Sequence, residues 1–111
     1  MMRTSWIGGI LVAMTPAALA QSRGKTTYNA QCQVCHGTTG AVDTPTGRAL
    51  QAKSMSDPEI VRASDTAHIA FVKNGSDKMP ALRDRLTVGQ IKDVIAHIRN
   101  LEKSANHLYV A

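Results

Sequence analysis

Aromatic residues are scarce in this chain of 111 residues, which contains one Trp, two Tyr and one Phe. Trp6 lies near the N-terminus, which leaves Tyr28, Phe71 and Tyr109 for a folded domain. A domain of this size buries a small core at best, and three aromatic side chains add little apolar bulk to it. We therefore expect a bound apolar group to complete the core.

Long hydrophobic runs are also missing. The apolar stretch that follows Arg3 is shorter than the roughly 20 residues that span a bilayer. It ends in Ala18-Leu19-Ala20, a small-x-small cleavage pattern. Residues 1–20 are thus predicted to be a signal peptide that is cleaved after Ala20. This leaves a domain of residues 21–111 in the periplasm, without membrane insertion, and an uncleaved N-terminal anchor is the alternative.

A strong charge of either sign is absent as well. The chain has 13 Lys and Arg against 8 Asp and Glu, and removal of the signal peptide takes away Arg3 and lowers the net charge from +5 to +4. The basic residues are scattered, and few aromatic rings are available to stack on bases, so no nucleic-acid partner is expected. The mild positive balance suits an acidic protein partner, or solubility alone.

Cysteine occurs twice, in the motif Cys32-Gln33-Val34-Cys35-His36, which reads C-x-x-C-H, the attachment sequence for c-type haem. Two thiols three residues apart on a helical turn can each form a thioether with one vinyl group of the same haem. His36 can then supply an imidazole ligand to the iron. A redox-active C-x-x-C pair, half of a zinc site and a disulfide are the alternative interpretations.

Local signals along the rest of the chain predict helices and almost no strands. Thr87 and Gln90 form a capping box before an apolar stripe that runs from Ile91 to Leu101. The predicted elements are a helix over 22–34 with Ser22 as N-cap, a loop over 37–47, short helices from Ser56-Asp57-Pro58-Glu59 and from Ser64 or Asp65, the long helix after Thr87, and a loose tail over 104–111. The predicted fold class is all-α.

A six-coordinate haem needs a second axial ligand, and Met79 is the strongest candidate. It lies in a loop that Pro80 stiffens, far enough along the chain from His36 for the backbone to pass around a haem edge. His68, on a short helix, is the main rival. The remaining candidates are Met55, interpreted as a packing residue, His97, interpreted as interfacial, and His107.

Together these motifs resemble the small bacterial class I cytochromes c. The resemblance covers residues 21–102 and rests on Gly24 and Tyr28 before the C-x-x-C-H motif, on Ile69-x-x-Val72-x-x-Gly75 before Met79-Pro80, and on Leu86-Thr87 before the last helix. It implies the cytochrome c fold, in which the first and last helices cross and short helices and loops surround one covalent haem.

Two positions depart from the family pattern. The family places an aromatic residue of the last helix against the glycine of the first, and here the matching residue is His97, which should make the crossing contact more polar or displace it. The family often has a proline whose carbonyl accepts a hydrogen bond from the proximal imidazole. Here that position is Arg48, whose carbonyl could still serve.

The resemblance implies a periplasmic electron-transfer protein with one haem c, attached through Cys32 and Cys35 and ligated by His36 and Met79. Filled axial positions predict an electron carrier with no catalytic residue, either a monomer or a subunit of a respiratory or dehydrogenase complex. The alternatives are a haem peroxidase or gas-binding protein in which Met79 dissociates, and a haem-free thiol oxidoreductase. An acidic redox partner is expected to meet the basic residues around the haem edge, namely Lys53, Lys73, Lys78, Arg83 and Arg85.

Overall fold

The computed structural model describes the backbone of residues 8–10 and 13–109 and side chains up to Ala105. Arg3 and Trp6, and the side chain of His107, lie outside this part. The described residues form helices and no strand, so the all-α prediction is confirmed. The helices are α1 (Pro16–Gln31), α2 (Gln33–His36), α3 (Pro45–Ala49), α4 (Pro58–Arg62), α5 (Asp65–Asn74) and α6 (Val88–Tyr109).

The last helix begins at the capping box that the sequence predicts. Gln90 N–H donates to Thr87 Oγ1 at 3.1 Å, and Thr87 N–H donates to Gln90 Oε1 at 2.8 Å. At α4 the capping residue is Asp57, which accepts from Glu59 N–H at 2.8 Å, rather than Ser56. Each cap satisfies a backbone donor that the first helical turn leaves without a partner.

Three helix boundaries differ from the sequence predictions. The first helix begins at Pro16 instead of Ser22, because Thr15 caps it by accepting from Ala18 N–H at 3.2 Å and a proline suits the first turn. Helix α3 lies partly within a segment predicted as loop. Helix α6 continues to Tyr109 through the segment predicted as a loose tail, where no glycine or proline interrupts it.

The two long helices α1 and α6 cross at Gly24. A Cβ atom at this position would lie about 3.0 Å from the Val94 amide nitrogen and closer still to the Asp93 carbonyl, so glycine is what permits the approach. Arg23 adds an ion pair to Asp93 at 3.0 Å. Gly24 thus contacts the backbone of α6 rather than His97, whose ring packs against Tyr28 instead.

The core lies between α1 and α6, with further side chains from α5, from Met55 before α4 and from the segment after α5. Tyr28, Ile91 and Val94 are fully buried, and Leu82 is 2% exposed. The remaining buried apolar residues are Cys32, Met55, Val72, Leu86, Ile95 and Ile98. Tyr28 is the one aromatic residue in this set, so the core is built mainly from aliphatic side chains.

Arg99 of α6 connects the last helix to the α4–α5 junction. Its guanidinium donates to the Val61 carbonyl at 3.1 Å and to the Ala63 carbonyl, and it pairs with Asp65 at 3.1 Å and with Glu102 at 3.2 Å. Glu102 lies mostly outside the apolar stripe predicted from Ile91 to Leu101, yet it is only 6% exposed. This network holds α4 and α5 beside α6. In the part of the chain that the structure describes, no helix has the length and apolar character needed to cross a membrane.

Candidate functional site

The C-x-x-C-H segment forms a break and a short helix at the end of α1. Cys32 caps both helices, with its N–H donating to the Tyr28 carbonyl at 2.8 Å and its carbonyl accepting from His36 N–H at 3.0 Å. Gly37 ends the turn at a φ of +79°, and its carbonyl accepts from the buried Tyr28 hydroxyl at 2.7 Å. Both thiols are free, with Cys32 buried and Cys35 half-buried.

Helix α3 packs directly on this turn. The Thr44 hydroxyl lies 2.8 Å from the Val34 carbonyl and 3.0 Å from the Cys35 carbonyl, and it accepts from Gly47 N–H at 3.0 Å. A Cβ atom on Gly47 would collide with the Cys35 carbonyl, so the contact needs glycine. Sequence reasoning missed Thr44, although Thr44-Pro45 is a helix-start signal of the same type as Thr15-Pro16.

The His36 imidazole is oriented by a backbone carbonyl. Its Nδ1–H donates to the Lys53 carbonyl at 3.1 Å, so the acceptor is Lys53 and the expectation for Arg48 is wrong. This bond fixes the tautomer that leaves the Nε2 lone pair free for a metal. Burial lowers the pKa of His36, with the Lys53 hydrogen bond opposing the shift, and a neutral imidazole is the form that ligates iron.

The Met79 loop folds back over the end of α5. Gly75, at a φ of +67°, lies so close to this loop that a Cβ atom would approach Ala81 N to 2.7 Å. Ser76 N–H donates to the Met79 carbonyl at 2.9 Å, and Met79 N–H donates to Ser76 Oγ at 3.3 Å. At the far end of the loop, Leu82 N–H donates to the Val72 carbonyl at 3.0 Å, as the buried Leu82 side chain joins the core.

These elements surround one cavity of about 500 Å³, and Cys32, Cys35, His36 and Met79 all line it. The volume falls in the range of roughly 300–1,000 Å³ typical of cofactor pockets. The other lining residues are Gln31, Val34, Leu50, Gln51, Ala52, Lys53, Ile60, Phe71, Ser76, Asp77, Lys78, Pro80, Leu82 and Arg85. Two free thiols, an oriented imidazole and a thioether around one largely apolar space fit the donor set of a c-type haem.

The comparisons with known proteins point to a cytochrome family. A family model described as cytochrome C oxidase, cbb3-type, subunit III matches residues 19–98. Cytochrome c6 of Thermosynechococcus vestitus (strain NIES-2133 / IAM M-273 / BP-1) is 34% identical over 91 residues, which are 80% of this chain and 79% of the relative. This chain belongs to the small class I c-type cytochromes.

Two further relatives support the assignment to this cytochrome family. Cytochrome c6 of Thermostichus vulcanus is 33% identical over 91 residues, again 80% of this chain and 79% of the relative. The solved structure of the KustC0563 c-type cytochrome superposes with a TM-score of 0.66 at 27% identity, and the match covers 71% of this chain and 96% of that one. The cytochrome c fold expected from the sequence is therefore confirmed.

The other candidate ligands of this cytochrome have different surroundings. His68 is buried and its Nε2–H donates to the Ile60 carbonyl at 2.7 Å, so its ring is neither on the surface nor in the cavity lining. Met55 is 7% exposed and packs against Gly40. The His97 ring lies edge to face with Tyr28 at a centroid distance of 5.1 Å.

The environment of Cys32 disfavours the thiolate form of its side chain. Burial, with a further contribution from Cys35, raises the pKa of Cys32 to about 11. Redox-active and nucleophilic cysteines have lowered thiol pKa values, because the thiolate is the reacting form. The thiol of Cys32 therefore stays protonated at neutral pH and is not suited to act as an attacking nucleophile.

The rim of the cavity combines apolar and basic side chains. Val34 is 64% exposed and Phe71 is 50% exposed, although both line the cavity. Three of the predicted docking cations also line the cavity, namely Lys53, Lys78 and Arg85. Lys53 pairs with Glu59, and Lys78 donates a hydrogen bond to the Gln51 side chain. The other two predicted docking cations, Lys73 and Arg83, do not line the cavity. Sequence reasoning missed the apolar rim, because no local pattern distinguishes Val34 and Phe71 from core residues.

Proposed function

We propose that this cytochrome is an exported electron carrier in which Cys32 and Cys35 hold one haem c through two thioethers, and His36 and Met79 ligate its iron. The observation that carries the proposal is that these four side chains, which are spread over 48 positions of the chain, line the same cavity. The runner-up functions, a peroxidase and a gas-binding protein, both require an iron position that is not held by the protein.

The chain's own residues set the conditions for electron transfer. Bound haem supplies a one-electron Fe(II)/Fe(III) couple. The Lys53 carbonyl holds the His36 ring in one tautomer and one orientation, so the imidazole need not move between the two oxidation states. The Met79 thioether favours a higher potential than a second imidazole does. The apolar cavity acts in the same direction, because burial disfavours the additional positive charge of the ferric state.

The rim residues supply a docking surface for a redox partner. The exposed apolar side chains of Val34 and Phe71 allow close contact at the cavity edge, and surrounding cations attract an acidic surface. The carrier acts either as a free shuttle or as the electron-transfer subunit of a larger oxidoreductase. The second possibility is favoured by the family model, whose description names an oxidase subunit.

Export fits the way the fold is assembled. Ala20 lies within α1, and Gly24 and Tyr28, which contact α6 and the C-x-x-C-H turn, come after it. Cleavage after Ala20 would remove the Thr15 cap but keep the helix crossing intact. We therefore propose a periplasmic protein that begins at Gln21, and the mass of the secreted protein tests this proposal directly.

The proposal is tested by replacing the two rival ligands. Met79→Ala should abolish the weak near-infrared absorption of ferric iron bound to a thioether, and should lower the reduction potential. His68→Ala should leave that absorption unchanged, because the His68 ring bonds the Ile60 carbonyl outside the cavity. Loss of the absorption in His68→Ala, or rapid binding of carbon monoxide to the ferrous wild-type protein, would overturn the assignment.

A further inference from the structure

One short segment after α3 contacts both the His36 ring and the loop that carries Met79, the two proposed iron ligands. The Lys53 carbonyl accepts from His36 Nδ1–H at 3.1 Å. Two residues earlier, Gln51 Oε1 accepts from the Lys78 ammonium at 3.1 Å, across 27 positions of the chain. Lys78 immediately precedes Met79, so this second hydrogen bond reaches the loop that carries the other ligand.

The backbone at Gln51 has a conformation that favours glycine. Its φ is +53°, in the left-handed region that non-glycine residues rarely adopt. Its N–H donates to the Arg48 carbonyl at 3.2 Å, which closes the turn at the end of α3. A glycine would adopt this left-handed conformation at a lower free-energy cost, yet the chain has a glutamine whose side chain extends to Lys78. Because the backbone is strained at a residue whose side chain makes a long-range hydrogen bond, we infer that this side chain has a function.

Apart from its packing against the core, the rest of the Met79 loop is hydrogen-bonded, among the described residues, to itself and to α5. Ser76 and Met79 exchange two hydrogen bonds within the loop, and Leu82 bonds Val72 of α5. Among the hydrogen bonds of the described residues, Lys78 to Gln51 is the one that joins this loop to the part of the cavity wall that orients His36. Without it, no hydrogen bond restrains the loop from that side.

We propose that the Gln51–Lys78 hydrogen bond is a clasp that restrains the Met79 loop and slows replacement of Met79 by small external ligands of the iron. Gln51 and Lys78 are then positioning residues, which act through Met79 without touching the iron. The inference rests on the proposed function, because it takes Met79 to be an axial ligand. It also gives a structural reason why the protein behaves as a carrier rather than as a peroxidase or gas-binding protein.

The expected effect is modest because both side chains are exposed and water competes for their hydrogen bond. Net contributions of protein hydrogen bonds correspond to a factor of roughly three to ten in an equilibrium or rate. Imidazole is a suitable probe, since it binds ferric haem as Met79 leaves and no oxidation state changes. The measured quantity is the rate of imidazole binding to the ferric, haem-loaded protein, followed by its visible spectrum.

Gln51→Gly separates the clasp from general stability. Glycine loses the acceptor but relieves the backbone at a φ of +53°, so the fold should be as stable as wild type or more stable, while imidazole binds roughly three- to tenfold faster. Lys78→Leu, which adds no iron ligand, should accelerate binding by a similar factor, and the double variant should be no faster than either single variant. Gln51→Glu and Lys78→Arg keep an acceptor and a donor and should stay close to the wild-type rate.

Lys92→Leu is the matched control, because it removes a lysine of α6 that does not line the cavity, and its rate should equal that of wild type. Wild-type rates in both Gln51→Gly and Lys78→Leu would overturn the clasp, as would faster binding that appears only in parallel with lower unfolding stability. A ferric wild-type protein without the near-infrared thioether absorption would instead refute Met79 ligation itself, so the two failures are distinguishable.

Discussion

Tyr28 and His97 pack edge to face where α1 crosses α6, with ring centroids 5.1 Å apart and an interplanar angle of 64°. An aromatic residue of the last helix would make a similar contact without titrating. His97 instead places a basic ring in the interface, where it is 5% exposed and its Nε2 lacks a hydrogen-bond partner among the described residues. Burial lowers the pKa of His97, and the positive charge of Lys25 lowers it further.

Protonation of His97 should therefore destabilise the fold in mild acid. In the unfolded chain the imidazole binds a proton near its ordinary pKa of about 6.5, whereas in the folded protein it does so at lower pH. Between these two pKa values the unfolded state binds more protons than the folded state, so the unfolding free energy falls as pH falls. The stability that comes from keeping His97 neutral is fully present above pH 6.5. We expect His97→Phe to lose less unfolding free energy than wild type between pH 7.5 and 5.5, as measured by denaturant titration.

The charged and titratable groups around this contact are the same in both proteins, which isolates the contribution of the imidazole. Lys25 and Tyr28 face His97 from α1, and Asp43 lies near Tyr28 from the loop that follows α2. Protonation of carboxylates below pH 5 affects wild type and variant alike. An identical loss of stability in the two proteins over the stated window would show that His97 does not titrate on unfolding.

Gly24 should tolerate no side chain. In Gly24→Ala the new Cβ would overlap the Asp93 carbonyl and approach the Val94 nitrogen to about 3.0 Å, so α1 and α6 must separate. We expect the unfolding free energy to fall by about 3 kcal/mol or more, at the upper end of overpacking costs. Gly89→Ala on α6 is the control, because a Cβ there meets only Thr87 Oγ1 at 3.8 Å. That variant should be neutral or more stable by up to roughly 1 kcal/mol.

The folded state should depend on covalent haem. The cavity of about 500 Å³ lies beside a core whose one fully buried aromatic residue is Tyr28, so little apolar surface remains to be buried without a cofactor. The double variant Cys32→Ala/Cys35→Ala should therefore show a broad thermal transition with little cooperativity.

Wild-type chain produced without haem attachment is the matched control for that experiment, and it should melt in the same broad manner. If the variant lost stability through the alanine substitutions alone, the unattached wild-type chain would still melt sharply. A sharp transition in both proteins would contradict the dependence on haem.

The parts of the site that sequence predicts are those encoded by adjacent residues. C-x-x-C-H predicts the proposed roles of Cys32, Cys35 and His36 within one turn, and the capping box at Thr87 predicts the start of α6, which the structure confirms. The acceptor for His36 was not predictable in the same way. The choice of Lys53 over Arg48 depends on α3 and on the left-handed turn after it, and the turn contains no glycine that would signal it.

Contacts made by single long side chains are also invisible to local patterns. Arg99 looks like a solvent-facing residue of α6, yet it binds carbonyls 36 to 39 positions away and pairs with the buried Glu102. The start of α1 is a different case, since Thr15-Pro16 is a readable helix signal that the predicted signal peptide obscured. Short motifs such as helix caps and C-x-x-C-H are thus encoded by neighbouring residues. The contacts that hold these motifs in place depend on how distant segments of the chain meet in the fold.

Cations near the cavity rim should steer an acidic redox partner. Lys53 is paired with Glu59 and Lys78 with Gln51. Lys73 and Arg83, which flank the Met79 loop without lining the cavity, are therefore better suited to a test that leaves these contacts intact. Charge reversal in Lys73→Glu/Arg83→Glu should slow bimolecular electron transfer at low salt. The wild-type rate should fall as salt rises and that of the variant should fall less, because the Debye length shortens to ~8 Å at physiological ionic strength.

The control for that experiment reverses two charges elsewhere on the surface. Lys92→Glu/Lys103→Glu on α6 changes the net charge by the same amount at two exposed residues outside the segment 73–85 that carries the Met79 loop. If steering depends on charges beside this loop, the variant should retain most of the wild-type rate near physiological ionic strength, since charges more than a Debye length of ~8 Å from the contact are then screened. Equal slowing in both variants would mean that net charge alone attracts the partner. A salt-independent wild-type rate would mean that charge does not steer docking at all, which would leave the apolar rim of Val34 and Phe71 as the basis of recognition.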